Sequence, residues 1–421
     1  MIGRFQEIRS GFERPFWIAN TSEIFERLSY YAVFSTLALY LNKTLAFPTA
    51  QASSLTSIFG GAVWIMAIFG GALADRIGFR RALSSAYLIL TCAYFLVGSI
   101  GAPWLAPVRS VVPLGLLAGV ILFLPALGVA LVKPSVVGTT ARTSKENVRS
   151  IGYAIYYTMV NIGSTAGPFL AGWVNERMRP ENVFMLAALS VFAMFFVVLL
   201  FFKEPRDPRA GGEAVESLGQ VVRNFMRVVR NRRFVLFLAI FSGYWIVFWQ
   251  QFLTLPIYIY DYVVPSTATA NMILSVDPLI VITLTVAVSA LTRRISAFQA
   301  LTLGTLITSL GWLLLAARAS VFMAVLSLVL VALGEITQAP RYYEYVSRLA
   351  PSGQQGTYLG FAFLPIGIGS LVGGPLGGAL LHHFGEVAHK PALIWPIFTA
   401  IGLATTVLLW FYDRRSSMIA A

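Results

Sequence analysis

The stretch Glu23-Ile-Phe-Glu26-Arg27-Leu-Ser-Tyr30-Tyr31 lies near the start of the first long apolar segment of the chain. Its three charged residues and two tyrosines are spaced i, i+3, i+4, i+7 and i+8, so a helix presents all five on one face. A charge within a membrane helix costs roughly 2.5–3.5 kcal/mol, so we expect this face to point into a polar bundle interior. The alternative is a helix that starts at the membrane surface with its charges in water. That alternative does not explain why two tyrosines share the charged face. The apolar residues opposite, expected to meet lipid, are Ile24, Leu28 and Val33.

The composition identifies the class of protein. Of the 421 residues, 57% are hydrophobic and only 12% are charged. Soluble domains carry about twice that charged fraction, which predicts an integral membrane protein. The net charge of +13 would suggest a nucleic-acid partner in a soluble chain. Here the basic residues lie in short loops between apolar segments, so they indicate membrane topology and no nucleic acid is expected.

Apolar segments of about 20 residues, the length that spans a bilayer, recur along the chain. The twelve predicted spans are 16–41, 52–75, 80–100, 111–138, 150–172, 182–203, 233–260, 270–292, 297–317, 320–346, 355–381 and 391–412. One long polar linker, 204–232, separates the first six from the last six. We therefore predict an all-α membrane protein with two six-helix bundles, 1–203 and 233–421, and a binding site between them.

The distribution of Lys and Arg predicts the orientation. Placing both termini in the cytoplasm puts most of the 31 basic residues on that side, as the positive-inside rule requires. Apolar residues of the linker recur at helical spacing opposite arginines, which predicts an amphipathic helix on the inner membrane surface. Its apolar residues are Leu218, Val221, Val222, Phe225, Met226 and Val229, and its arginines are Arg223, Arg227 and Arg230.

A second motif closes the second segment: Gly70-Gly71-Ala-Leu-Ala-Asp75-Arg76-Ile-Gly78-Phe-Arg80-Arg81. It resembles the signature loop of the major facilitator superfamily, with Phe79 where a basic residue is usual. The resemblance implies a cytoplasmic gating loop built from Asp75, Arg76, Gly78 and Arg80. It also implies a multi-pass carrier of the cell (inner) membrane.

Within that superfamily the chain resembles the proton-coupled oligopeptide transporter family in six motifs that occur in the family's order. They are Glu23-x-x-Glu26-Arg27, Gly128-Val-Ala-Leu-Val-Lys133-Pro134-Ser-Val-Val-Gly138, Tyr156-Tyr157-Thr-Met-Val-Asn161-Ile-Gly163, Leu274-Ser-Val-Asp277-Pro278, Gly334-Glu335-Ile-Thr-Gln-Ala-Pro340 and Gly356-Thr-Tyr-Leu-Gly360. The resemblance implies proton-coupled symport of small peptides or peptide-like molecules by alternating access. The expected partners are then a small-molecule substrate, protons and membrane lipids, with no cofactor besides the proton.

The first and fourth predicted helices carry the charges expected to couple protons. Lys133 lies mid-segment before a proline and cannot reach water by snorkelling, so its expected partner is Glu23 or Glu26. The family implies that this cluster, which includes Arg27, links protonation to opening of the inner side. The family also uses the acid at Glu335 to hold the substrate's amino group, whereas an acid that only joins two helices is the structural alternative.

Several substrate-facing positions depart from the family pattern. Phe34 stands where the family has an arginine, Trp249 where it has an acid, and Asp277 where it has an asparagine. Trp64 replaces a cavity tyrosine, and Ala362 replaces a tryptophan. The expected substrate-binding set is Tyr30, Tyr31, Trp64, Lys133, Asn161, Trp249, Gln250, Asp277 and Glu335.

The altered positions leave alternatives to peptide symport. One is a proton-coupled carrier of non-peptide amphiphilic or cationic molecules, drug efflux included, and another is a non-transporting ligand sensor on the same fold. No phosphate loop, zinc spacing or Ser-His-Asp order is seen, so no metal site and no enzyme is expected. The Gly-x-x-x-Gly patterns between Gly367 and Gly378 indicate close helix packing. A monomer is expected.

Overall fold

A computed structural model of the chain describes residues 11–205, 228–292, 294–349 and 355–420, together with Gly219, Arg223 and Met226. Within these residues the regular structure is helical, apart from a single β-bridge between Phe12 and Ser144. The amphipathic helix predicted in the linker falls almost entirely outside them. The all-α prediction is therefore confirmed over the described residues.

Six long helices occupy the described part of the N-terminal half, and each overlaps one predicted segment. They are α1 (Arg14–Leu39), α2 (Thr49–Ile77), α3 (Phe79–Ser99), α4 (Leu114–Thr143), α5 (Arg149–Arg177) and α6 (Glu181–Phe201). The π-helical turn Tyr40–Thr44 extends α1, and Pro15 lies in the first turn, where a missing N–H is tolerated.

The C-terminal half has the same number of helical segments, several of them in two or three pieces. They are α7 (Arg232–Phe248, Gln250–Leu253 and Leu255–Tyr262), α8 (Thr267–Leu274 and Val276–Thr292), α9 (Ala297–Gly311 and Leu313–Ala317), α10 (Val321–Leu349), α11 (Gln355–Phe361 and Leu364–Leu380) and α12 (Ile394–Ala420). A proline follows the break in α7, α8 and α11, at Pro256, Pro278 and Pro365. Each lacks the N–H that would continue the helical hydrogen bonds.

Ten helices of the described chain are long and apolar enough to cross a membrane. They identify an integral, multi-pass membrane protein. Helices α1 and α5 have 26 and 29 residues but are not among the ten. Polar groups account for this in α1, which carries Glu23, Glu26 and Arg27 near its middle.

The prediction that the apolar face of α1 meets lipid is wrong for Val33, whereas Ile24 and Leu28 are only half-buried. A Cβ at Gly163 would lie 2.7 Å from the Ile24 carbonyl oxygen, and one at Gly167 would lie 2.6 Å from the Leu28 oxygen. Val33 is fully buried. The two glycines of α5 let its backbone approach this face of α1, which partly covers it with protein.

Helices α2 and α11 join the two halves at glycines, as the Gly-x-x-x-Gly patterns predict. A Cβ at Gly61 would lie 2.9 Å from the Gly367 carbonyl oxygen, and one at Gly367 would lie 3.0 Å from the Gly61 oxygen. The Ser370 hydroxyl donates to the Ser57 carbonyl at 3.2 Å. The backbones can therefore approach closely only because side chains are absent at these points.

The predicted gating loop turns at Gly78, whose φ of +86° lies in the region that glycine tolerates best. Beyond the turn, the Glu204 carboxylate accepts hydrogen bonds from the backbone N–H groups of Phe79 and Arg80 at 2.8 and 2.7 Å. These are free donors of the first turn of α3, and a carboxylate there also meets the positive end of the helix dipole.

Asp75 of the same loop accepts from the Arg142 guanidinium at 3.0 Å, which ties the end of α2 to the end of α4. The Arg80 side chain donates to the Leu199 carbonyl at 2.6 Å, and Arg76 is exposed. The loop therefore links α2, α3, α4 and α6 at one end of the protein, referred to below as the Gly78 end.

The turn at Gly78 generates a stability prediction. Gly78→Ala is expected to lower the free energy of unfolding by about 1–2 kcal/mol, because alanine is strained at positive φ. Its Cβ would also lie 3.2 Å from the Glu204 carboxylate. Thermal unfolding in detergent measures the effect. Gly360→Ala is the matched control, since a Cβ there meets nothing within 4 Å; equal melting temperatures for the two variants would contradict this account.

Candidate substrate cavity

A cavity of about 230 Å³ lies between α1, α2, α4 and α5 of the N-terminal half and α7, α8, α10 and α11 of the C-terminal half. Most residues of the predicted site line it: Glu23, Arg27, Tyr30, Tyr31, Trp64, Lys133, Asn161, Trp249, Asp277 and Glu335. Glu26 and Gln250 do not line it. The stripe on α1 thus faces a polar interior, as its spacing predicts.

On the α1 side of the cavity, three charges form one buried cluster. The Arg27 guanidinium is 3.5 Å from the Glu23 carboxylate and is also paired with Glu26. All three side chains are buried, and the guanidinium lies 4.9 Å from the centre of the Tyr30 ring. The cluster holds two acids against one base, so it carries excess negative charge when both carboxylates are ionised.

Lys133 does not pair with Glu23 or Glu26 in this structure, contrary to the prediction. Its ammonium lies 4.2 Å from the centre of the Trp64 ring and 5.7 Å from that of Phe363. Among the described residues no carboxylate oxygen lies within 4.0 Å of it. Arg27 already occupies both glutamates, because it lies on their own helix within reach of each, and a cation–π contact replaces the ion pair at Lys133.

Two carboxylates lie on the opposite wall of the cavity. Asp277 is 6% exposed and its Oδ1 atom has no hydrogen-bond partner, while Glu335 is half-buried. No Lys, Arg or His of the described chain lies within 4.0 Å of either. The bases of the cavity, Arg27 and Lys133, are therefore on the N-terminal wall, and these unpaired acids are on the C-terminal wall.

Aromatic rings close the cavity between α1 and α7. Phe34 stacks on Phe252 with ring centres 4.9 Å apart and meets Trp249 edge-on at 5.5 Å. The Trp249 indole N–H donates to the Ile366 carbonyl at 2.9 Å and so offers the cavity only its ring. The two positions that depart from the family's arginine and acid thus form an apolar contact between the halves.

Gln250 makes hydrogen bonds between helices that the sequence does not predict. Its amide group donates to the Ile246 and Gly373 carbonyls at 2.7 and 3.2 Å, and it accepts from Thr254 at 2.5 Å. Fully buried and satisfied in this way, it connects α7 to α11 away from the cavity. In this structure Gln250 therefore does not line the cavity where it was predicted to bind substrate.

Sequence reasoning missed several tyrosines that line the cavity. Tyr342 and Tyr343 follow Glu335 at i+7 and i+8, the same spacing that separates Tyr30 and Tyr31 from Glu23. That repeated spacing would have identified them. The other missed tyrosines, Tyr156 and Tyr157, lie in the third of the six motifs, on the same helix as the predicted Asn161.

The two halves also meet at the end opposite Gly78, referred to below as the Lys43 end. Lys43 pairs with Asp261 at 2.5 Å, the Thr49 hydroxyl is bonded to Glu386, and the Ser53 hydroxyl donates to the Leu253 carbonyl at 3.1 Å. These bonds join α1 and α2 to the second half at that end.

Comparison with known proteins identifies the family. The sequence model of the Major Facilitator Superfamily matches residues 21–364 and, in a second match, 265–419. The chain belongs to the Major Facilitator Superfamily. It is thus a membrane transporter by family, and the signature loop is correctly identified.

Sequence relatives and solved structures show which members of the superfamily this chain is similar to. The multidrug resistance protein MdtH of Yersinia enterocolitica is 23% identical over 352 residues, covering 83% of this chain and 82% of that protein. A crystal structure of a POT family transporter with 5-aminolevulinic acid superposes with a TM-score of 0.78 at 18% identity, covering 96% of each chain. Another, with a thioalcohol-conjugated peptide, also scores 0.78 at 18% identity and covers 97% of each. The expected likeness to peptide transporters is confirmed for the fold.

The buried cluster generates a second stability prediction. Arg27→Met is expected to destabilise the protein by about 3–5 kcal/mol, because Glu23 and Glu26 lose their buried cation. Lys133→Met is the matched control and is expected to cost less than about 2 kcal/mol, since only ring contacts are lost. Thermal unfolding in detergent compares them. Equal losses in the two variants would show that Arg27 does not hold the cluster together.

Proposed function

We propose that this protein is a proton-coupled secondary transporter, a symporter of small peptides and peptide-like molecules that works by alternating access. Its preferred substrates carry an amine and apolar bulk. The observation that supports this most strongly is the cavity itself, with the cluster of Glu23, Arg27 and Glu26 and the ring-bound Lys133 on one wall. The acids Asp277 and Glu335 lie on the other.

The energy of these charges supports coupling to protons. Six ionisable groups lie at membrane depth, and at about 3 kcal/mol each their burial costs on the order of 18 kcal/mol. A typical domain is stable by about 5–15 kcal/mol, so the charges must be paired or neutralised. Four acids face two bases, which leaves acids for a proton or a cationic substrate to neutralise.

The lining of the cavity supports the preference for amines. Glu335 is the acid proposed to receive the substrate amine. For a substrate carboxylate only Lys133 remains, because Arg27 is already paired and Phe34 carries no charge. Aromatic rings attract cations and accommodate flat apolar groups, at roughly 0.5–2 kcal/mol per contact.

The proposed architecture has twelve membrane spans in two bundles, 1–203 and 233–421, joined by a cytoplasmic linker. Both termini lie in the cytoplasm, and the protein is a monomer of the cell (inner) membrane without a metal or catalytic site. The Gly78 end then faces the cytoplasm, and the Lys43 end faces outward. Breaking the bonds at the Lys43 end while closing the Gly78 end would expose the cavity to the other side.

Lys133 is the proposed movable cation of the coupling mechanism. Lys133→Ala is expected to abolish uptake driven by a proton gradient, because no cation remains to exchange between Trp64 and the glutamates. Binding of phenylalanyl-alaninamide, which has no carboxylate, is expected to be retained. Uptake of labelled phenylalanyl-alanine into proteoliposomes, with and without an imposed gradient, measures the first effect. Thermal-shift titration of the purified variant measures binding. Normal uphill uptake by the variant would rule out this role.

Proton-driven efflux of amphiphilic cations is a second candidate, favoured by the name of the relative MdtH and by the aromatic pair Phe34 and Trp249. The direction of flux separates the two functions. Cells that express an exporter accumulate less ethidium than cells with the Lys133→Ala variant, whereas a symporter leaves ethidium accumulation unchanged.

Counterflow of labelled peptide in proteoliposomes would exclude a sensor that binds its ligand without transporting it. If di-alanine competes as well as phenylalanyl-alaninamide, the altered lining does not set selectivity.

A further inference from the structure

Asp277 is a buried acid that has no basic partner among the described residues. It lies in the first turn of the second piece of α8, just after the break at Ser275, and lines the cavity while remaining 6% exposed. Its Oδ1 atom is enclosed and has no hydrogen-bond partner. Over the described ranges we find no ion pair to this carboxylate either. A buried carboxylate in this condition requires a proton or a cation from outside the protein.

Glu335 lies beside Asp277 on the neighbouring helix α10. Val281, one turn after Asp277, packs in a single apolar cluster with Ala332 and Ile336, which flank Glu335. This packing brings the turn of α8 that carries Asp277 against the turn of α10 that carries Glu335. Both carboxylates line the same cavity, together with Tyr31 and Tyr157.

The bases of the cavity cannot neutralise this pair. Arg27 is bound to Glu23 and Glu26, and Lys133 rests on the Trp64 ring. Two carboxylates on one wall of a buried cavity repel each other when both are ionised, unless positive charge lies near both. The lining around them is aromatic, with Tyr31, Tyr157 and Tyr343, and such rings favour organic ammonium groups.

We propose that Asp277 and Glu335 together form a subsite for a dication, a ligand with two protonated amines on one end or on a short apolar frame. The inference rests on the proposed function in one respect only, that this cavity is the ligand site. It adds a second ammonium to the amine expected at Glu335. Asp277 is thereby the residue that distinguishes diamines from monoamines.

Binding of two matched probes tests the subsite. m-Xylylenediamine and 3-methylbenzylamine share one ring and nearly one shape, but the first carries an additional ammonium group. Calorimetric titration of the full-length protein in detergent, at fixed ionic strength and pH 7, is expected to give roughly tenfold tighter binding of the diamine. Asp277→Asn is nearly isosteric and should reduce that ratio to about one, because the diamine loses more affinity than the monoamine.

Two further variants complete the test. Asp413→Asn removes the same charge at the end of α12, outside the cavity lining, and is expected to keep the tenfold preference. Glu335→Gln is expected to weaken both probes. Size-exclusion chromatography and the melting temperature establish that each variant is folded.

Equal affinities of the two probes for the unaltered protein would overturn the proposal, and so would a diamine preference that survives Asp277→Asn. Displacement of the diamine by 1 mM Mg²⁺ would also overturn it, in favour of a metal site. These titrations involve no gradient, so their outcome is independent of whether the protein proves to transport. A protein that prefers diamines but shows no proton-driven uptake would contradict the proposed function and leave the subsite standing.

Discussion

The cost of burying charge in a membrane helix governs the structure around α1. Glu23, Glu26 and Arg27 lie near the middle of this helix and are removed from water. Their mutual pairing offsets part of the cost, and the rest must be met by neighbours or by protons. Gly163 and Gly167 bring the α5 backbone close to α1, and Glu23 and Arg27 line the cavity. The cavity therefore adjoins the charges of α1 that are most costly to bury.

Charge is divided unequally between the walls of the cavity. Both bases lie in the N-terminal half, and the C-terminal wall presents only the acids Asp277 and Glu335. Between the two walls, the rings of Phe34 and Trp249 are in contact. These residues stand where the peptide transporter family has an arginine and an acid. The charged cluster of the similar peptide carriers is retained, whereas the opposite wall is aromatic and acidic. The fold matches a POT family transporter, and one sequence relative is named as a multidrug resistance protein.

Much of the fold could be predicted from the sequence because hydrophobic length and helical spacing are local properties. Each predicted segment overlaps a helix, and the stripe on α1 faces the cavity. Contacts that depend on competition between partners could not be predicted. Arg27 pairs with the glutamates that were expected to pair with Lys133. The Gln250 amide donates to backbone carbonyls of α7 and α11. The prediction that Val33 faces lipid was wrong because helix packing is set by residues far along the chain.

The central claim, that neutralisation of buried acids couples substrate to protons, is tested most directly by measuring the two fluxes together. Proteoliposomes containing a trapped pH dye, with the membrane potential clamped by potassium and valinomycin, receive labelled phenylalanyl-alanine from outside. The account predicts that the interior acidifies as label enters, and that neither flux occurs in the Lys133→Ala variant. Entry of label with no change in internal pH would contradict it.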